Sequence, residues 1–293
     1  MKRLRYAFNV ALDAFYKFLA DDGWAIASHI ALSALMALFP FLIVITSLAG
    51  FFGSKGLADD AVELMLETWP PQVADALSGE IHNVLTTSHG GVLTIGVVLA
   101  LYFASNGVES LRVALNRAYA VTEPRSWYWL RLESIGYTIV AAVSALAMAF
   151  LIVLGPLILA FARRYIPLRI EPNESLFTVL RYGLAIGSLI VALIILHKWL
   201  PAGTRKMREI MPGIVVTMIA SLVSGVVFGK YLERFASNYV TTYAGLASVM
   251  IALVFLYFTA AIFVYGGELN AAILKSQHPG PLPAEGPSPA PAG

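Results

Sequence analysis

Six stretches of the chain are apolar over the length that crosses a bilayer, about 20 residues of helix. They fall at about 25–52, 90–106, 135–162, 176–200, 210–229 and 246–273. Residues 1–23 read differently, with Leu4, Phe8, Leu12, Phe15 and Leu19 on one helical side and Lys2, Arg3, Arg5 and Lys17 elsewhere. That pattern predicts an amphipathic helix lying on the inner membrane surface. The second apolar stretch continues as an amphipathic helix through Tyr119. In 53–89, Leu57, Ala61, Leu64 and Met65, then Val73, Leu77, Ile81 and Val84 after Pro70 and Pro71, recur at helical spacing among carboxylates. Two short amphipathic helices are expected there, as an ordinary outer hairpin or as a lid over a cavity. Residues 276–293, rich in Pro, Gly and Ala without aliphatic periodicity, predict a disordered tail.

Local signals refine the spans. Asp21 and Asp22 precede the first as candidate caps, Trp24 as an interfacial anchor, and Pro40 lies inside it. Gly155 and Pro156 predict a kink in the third, and Pro212 with Gly213 opens the fifth, where a missing backbone donor costs little.

Composition supports a membrane reading: 58% of residues are hydrophobic, 13% are charged, and mean hydropathy is +0.75 over 293 residues. A soluble surface needs far more charge. The fold class expected is therefore an all-α integral membrane protein, a six-helix transmembrane bundle over 24–275. Asp13, Lys17, Asp21 and Asp22 interrupt the N-terminal apolar residues, so no cleavable signal peptide is expected. With both termini cytoplasmic, thirteen Lys and Arg fall inside and seven outside, the distribution that positive-inside retention favours. A net charge of +2 gives no reason to expect nucleic acid, and the lack of cysteine excludes disulfides, thiol catalysis and thiolate metal sites.

Small residues four apart allow close helix approach in lipid. Gly96, Ala100 and Ala104 form one such row, Gly183 and Gly187 another, and Thr217, Ser221, Gly225 and Gly229 the longest. Polar groups at bilayer depth are more informative, because each needs a partner or a cavity. His29 and Ser33 share one helix side, as a packing pair or with a direct role. Asn106, Glu109, Arg112 and Asn116 make a polar stripe after the second span, which is either an interfacial Glu109 to Arg112 pair or the wall of a path. Glu268 follows Tyr257 and Tyr265 on the last span, beside Gly266, Gly267 and Asn270. It is expected either to pair with an arginine such as Arg112 or Arg117, or to face a polar cavity.

The ordered set ALSALMALFPFLI, GVESLRVALNRAY with Glu123 and Arg125, MPGIV, and KYLERFASNYVTTYAGLASVMIALVFLYFTAAIFVYGGELNAA resembles the YihY/BrkB family of bacterial inner-membrane proteins. The likeness runs from about Ala25 to Ile273. On it, Pro40, Asn116, Glu123, Arg125, Pro212, Gly213, Tyr231, Tyr243, Gly245, Gly267, Glu268, Leu269 and Asn270 match family positions. Ala244 and Gly245 depart from the family's Gly-Ser, and Phe255 replaces its tryptophan. The resemblance implies a multi-pass protein of the bacterial inner (plasma) membrane, with links to serum resistance and to envelope lipid or lipopolysaccharide handling. It also brings an old ribonuclease label.

The residues do not support that label. His29, His82, His89, His197 and His278 are scattered, and neither clustered metal ligands nor a basic groove with aromatic platforms is present. No catalytic residue, cofactor or metal is expected. The function expected is an inner-membrane transporter or lipid-handling protein with a polar intramembrane path, its substrate an anionic or lipopolysaccharide-related lipid. The path candidates are His29, Ser33, Asn106, Glu109, Arg112, Asn116, Arg125, Tyr243, Tyr257, Glu268 and Asn270. Pro40, Gly155, Pro156, Pro212, Gly213, Gly225, Gly229 and Gly267 are kink or packing positions. The alternative is a non-transporting scaffold for envelope assembly. Membrane lipids are the partners expected, and a homo-oligomer is left open.

Overall fold

The computed structural model describes residues 2–51, 70–77, 93–144, 174–243 and 246–277. Its helices are α1 (Lys2–Ala20), α2 (Gly23–Phe51), α3 (71–77), α4 (Leu93–Ala118), α5 (127–144), α6 (Glu174–Trp199), α7 (Met207–Tyr243) and α8 (Ala247–Gln277), with no strand among the described residues. Among the described residues four segments are long and apolar enough to cross a membrane: Gly23–Val44, Thr94–Ala118, Met207–Ala236 and Ala247–Gln277. Ile186–Trp199 is a shorter apolar helix. Gly155, Pro156, most of the 53–89 segment and the tail from His278 lie outside the described residues.

Several boundaries differ from the sequence expectation. Residue 212 is not in a first turn, because α7 begins at Met207 and carries Pro212 in its interior. The same helix runs past 229 to Tyr243, since no Gly-Pro pair or cap interrupts YLERFASNY. Helix α5 begins at 127, ahead of 135, and α4 stops at Ala118, one residue before Tyr119. Ala120 there takes a left-handed φ of 52°. Asp22 does likewise at φ 57°, and its carboxylate accepts from Arg117 Nη1 at 3.3 Å where a cap on α2 was expected.

Helix α8 is the hub, packed against α7, α2, α1 and α4. Small residues make this possible. A side chain on Gly266 would run into Thr217 and the Gly213 carbonyl of α7, and a Cβ on Gly267 would lie 2.6 Å from Leu115 Cδ2 of α4. Helices α2 and α4 approach in the same way: a Cβ at Gly96 would meet Ile43 Cγ2 at 3.3 Å, and one at Gly107 would meet Ser33 Cβ at 3.6 Å. Gly225 and Gly229 instead face Pro70 and Gln72 before and within α3. Gly183 and Gly187 have no described neighbour within 4 Å.

Helix α1 is more than a surface float. Val10 and Ala14 bury against Leu269 and Ala272 of α8, and Tyr265 Oη donates to the Ala11 carbonyl at 3.1 Å. Its larger apolar side, with Phe8, Leu12, Phe15 and Leu19, remains exposed, as suits a helix that also touches lipid. Hydrogen bonds between segments bring the end of α1, the start of α2, the ends of α4, α6 and α8 and the start of α7 to one end of the molecule. Four of the five tryptophans, Trp24, Trp127, Trp129 and Trp199, sit exposed on helix ends there, the placement of an interfacial belt. At the opposite end Tyr231, Phe235, Tyr239 and Tyr243 form an aromatic run along α7.

Candidate functional site

Where α4 ends, three arginines and three glutamates interlock. Arg112, only 2% exposed, donates to Glu109 at 3.2 Å, to the Leu130 carbonyl at 3.2 Å and to Ser134 at 3.4 Å. Arg131 of α5 reaches Asn106 at 2.6 Å and Glu109 at 3.2 Å. In the α4–α5 connection Arg125 grips Glu123 through two contacts of 2.7 and 2.8 Å, and also reaches Glu133 at 2.7 Å and the Leu200 carbonyl at 3.2 Å. Asn116 joins both halves, donating to Glu123 at 2.9 Å and accepting from the Ala202 amide at 2.7 Å. The Arg125 guanidinium, helped by the Asn116 amide, holds the Glu123 carboxyl at about 2, well below the usual range, although burial opposes the shift. Glu123 in turn raises Arg125. The network is charge-balanced and saturated, so it fastens the α4–α5 connection to the 200–202 loop.

A second group lies beside it. Asn270, fully buried, accepts from the Gly213 amide at 2.6 Å and donates to the Ile210 carbonyl at 3.0 Å. Pro212 removes one donor from the α7 ladder, and Asn270 inserts its amide across that irregular turn. Two residues earlier Glu268 is 1% exposed; neither carboxylate oxygen is reached by an N–H donor, and the acid facing it is the Asp21 carboxyl. Its charged surroundings are Lys17 and Asp21 at the end of α1, with Tyr119 more remote. Lys17 itself donates to the Ala118 carbonyl at 3.1 Å. Arg205 Nη1 and Thr217 Oγ1 are also buried without a partner, and the buried Tyr119 Oη has the Asn270 amide as its polar neighbour.

The arginine pairing expected for Glu268 is not found, because geometry assigns both candidates elsewhere. Arg112 is held by Glu109, Leu130 and Ser134, and Arg117 by the Asp21 carbonyl and Asp22. His29 is exposed and bonds Ser110 at 2.6 Å, linking α2 to α4, while Ser33 is buried against Gly107. Tyr257 stacks on Trp24 at 5.7 Å. Tyr243 precedes α8, more than twenty residues from Glu268, which is about 30 Å along a helix. The structure thus gathers Asn106, Glu109, Arg112, Asn116 and Arg125 in one network, sets Glu268 and Asn270 beside it, and leaves Tyr243 at the far end.

Arg131, Glu133, Tyr119, Arg205, Lys17 and Asp21 were not singled out for the site. Arg205 was legible only as one of the basic residues kept inside. Glu133 and Arg131 become network members once α5 starts eight residues early.

A family description, "Virulence factor BrkB", matches residues 14–289. This chain belongs to the BrkB family. Among curated relatives, a "Putative ribonuclease-like protein YfkH" of Bacillus subtilis is 30% identical over 94% of this chain and 98% of its own length. A "UPF0761 membrane protein" of Rhodospirillum centenum is 26% identical over 92% of this chain, which spans 59% of that relative. Another from Alteromonas mediterranea is 24% identical over 88% and 86%. No solved structure matches. The BrkB match takes in all of the polar network and both Glu268 and Asn270, and it identifies a membrane protein.

Proposed function

We propose that this BrkB-family chain is a six-span protein of the bacterial inner membrane, with both termini in the cytoplasm. In this reading it carries the polar part of an anionic envelope lipid along a path that ends at Glu268. The observation that carries the reading is the Glu268 carboxylate: buried at 1% exposure, bare of donors, and set where α1, α4 and α8 converge. A carboxylate kept inside an apolar protein without a hydrogen-bond donor has a cost that a merely structural role does not require. The saturated network next to it supplies the opposite, a rigid frame against which a polar group can move. In the same reading the chain is not an enzyme. Glu109, Glu123 and Glu133 are each held by arginine, which suits fastening better than metal-assisted hydrolysis.

The test is exchange of labelled anionic phospholipid between the leaflets of liposomes holding the purified protein. Wild type is expected to speed exchange over empty liposomes, and Glu268→Gln, at equal insertion, to remove most of the gain. Wild type indistinguishable from empty liposomes would end the lipid reading.

A further inference from the structure

Two arginines are buried among the described residues, and they differ in one respect. Arg112 has a carboxylate, and Arg205, 8% exposed, has none within ion-pair distance. Arg205 lies with its guanidinium carbon 3.9 Å from the centre of the Tyr119 ring and donates through Nη2 to the Ala202 carbonyl at 2.8 Å. Its Nη1 is buried with no acceptor, and the hydroxyl of the same Tyr119 is buried with the Asn270 amide as its polar neighbour. The ring face offsets part of the positive charge but gives the Nη1 hydrogens nothing to donate to. Glu209 is the acid near Arg205, and it is turned to the Lys206 amide at 2.9 Å; Glu268 lies more remotely, toward Tyr119. Lys206 and Arg208 add exposed positive charge at the start of α7.

We propose that Arg205 and Tyr119 form a receiving site for a phosphate-type oxyanion, presented by an anionic lipid headgroup or by free phosphate. Planar guanidinium N–H groups fit such an oxygen pair, and a phenol O–H supplies a third donor. Burial pushes the Tyr119 phenol up to about 12, so it keeps its proton and donates at any cellular pH. In the conformation described, Nη1 and the hydroxyl are covered. An anion therefore enters only when the 200–206 loop, whose Gly203 has a φ of 87°, lifts from Tyr119. The site deepens the lipid-handling reading, on which its lipid arm alone rests.

The full chain in nanodiscs of zwitterionic lipid is titrated with short-chain phosphatidic acid, inorganic phosphate and the matching diacylglycerol. Phosphatidic acid is expected to bind and diacylglycerol not. Tyr119→Phe, which keeps the ring and its contact with Arg205, should weaken binding about tenfold by loss of one charge-assisted donor. Arg205→Gln should abolish binding. Binding of phosphatidic acid alone identifies a lipid headgroup, and equal binding of inorganic phosphate identifies a free anion; both uphold the site. Binding of neither probe above diacylglycerol, or unchanged affinity in a well-folded Tyr119→Phe, overturns it. If wild type binds phosphate yet moves no lipid between leaflets, this site stands and the transport reading falls.

Discussion

Glu123 receives both N–H groups of the Arg125 fork and the Asn116 amide, and so it is the residue through which the polar network becomes rigid. Its carboxyl sits at about 2 in the fold against an ordinary 4.5. A depressed acid contributes stability above its unfolded value and loses it as pH falls toward its folded value. The melting temperature in detergent should therefore hold from neutral pH to about pH 5 and then fall steadily toward pH 2. Glu123→Gln should flatten that acid limb and cost about 2 kcal/mol at neutral pH, the scale of a lost charge-assisted hydrogen bond. A Glu123→Gln acid limb as steep as wild type would show that another carboxylate governs it. The stripe from Asn106 to Asn116 was legible in the sequence because one helix fixes its spacing. Of its partners, Glu123 and Arg125 came into view only through the family resemblance, and Arg131 and Glu133 not at all, since all four come from a connection and a helix whose placement no periodicity dictates.

Helix α8 meets α7 through glycine, and the sequence made the small-residue rows plain. Which row meets which helix depends on rotation about each axis, and the row of Gly225 and Gly229 turned out to face the α3 region while Gly213 took α8. Asn270 shows the same ambiguity. From sequence it is a polar residue at membrane depth beside Glu268 and a path candidate. The structure makes it a clasp, because the turn of α7 at Pro212 leaves backbone groups within reach of its amide. Asn270→Leu strands the Gly213 N–H and the Ile210 C=O and should destabilise the seam by about 3 kcal/mol. Gly213→Val, which drives a branched side chain into α8, should do at least as much harm. Unfolding in mixed detergent checks both. A Asn270→Leu protein as stable as wild type would mean that the two backbone groups find other partners.

Among the described residues the molecule gathers its buried ion pairs and tryptophans at one end and a run of tyrosine and phenylalanine at the other, and the reading of its orientation rests on that asymmetry. Polar network, Glu268, Arg205, both described chain ends and four tryptophans share the first end, whereas α7 carries its tyrosines to the second. On the proposed six crossings with both termini inside, the first end is cytoplasmic, and lipid headgroups of the inner leaflet meet Trp127, Trp129 and the exposed Lys206 and Arg208. The chain has no cysteine, and single cysteines can therefore be introduced without a background. Thr204→Cys and Ser276→Cys, exposed at the first end, should react with a membrane-impermeant maleimide only after permeabilisation. Thr242→Cys, exposed at the second, should react in intact spheroplasts. The reverse pattern would invert the protein and put the Arg205 site on the outer leaflet. Labelling of Thr204→Cys and Thr242→Cys from the same side would instead break α7 as a crossing and with it the six-span count.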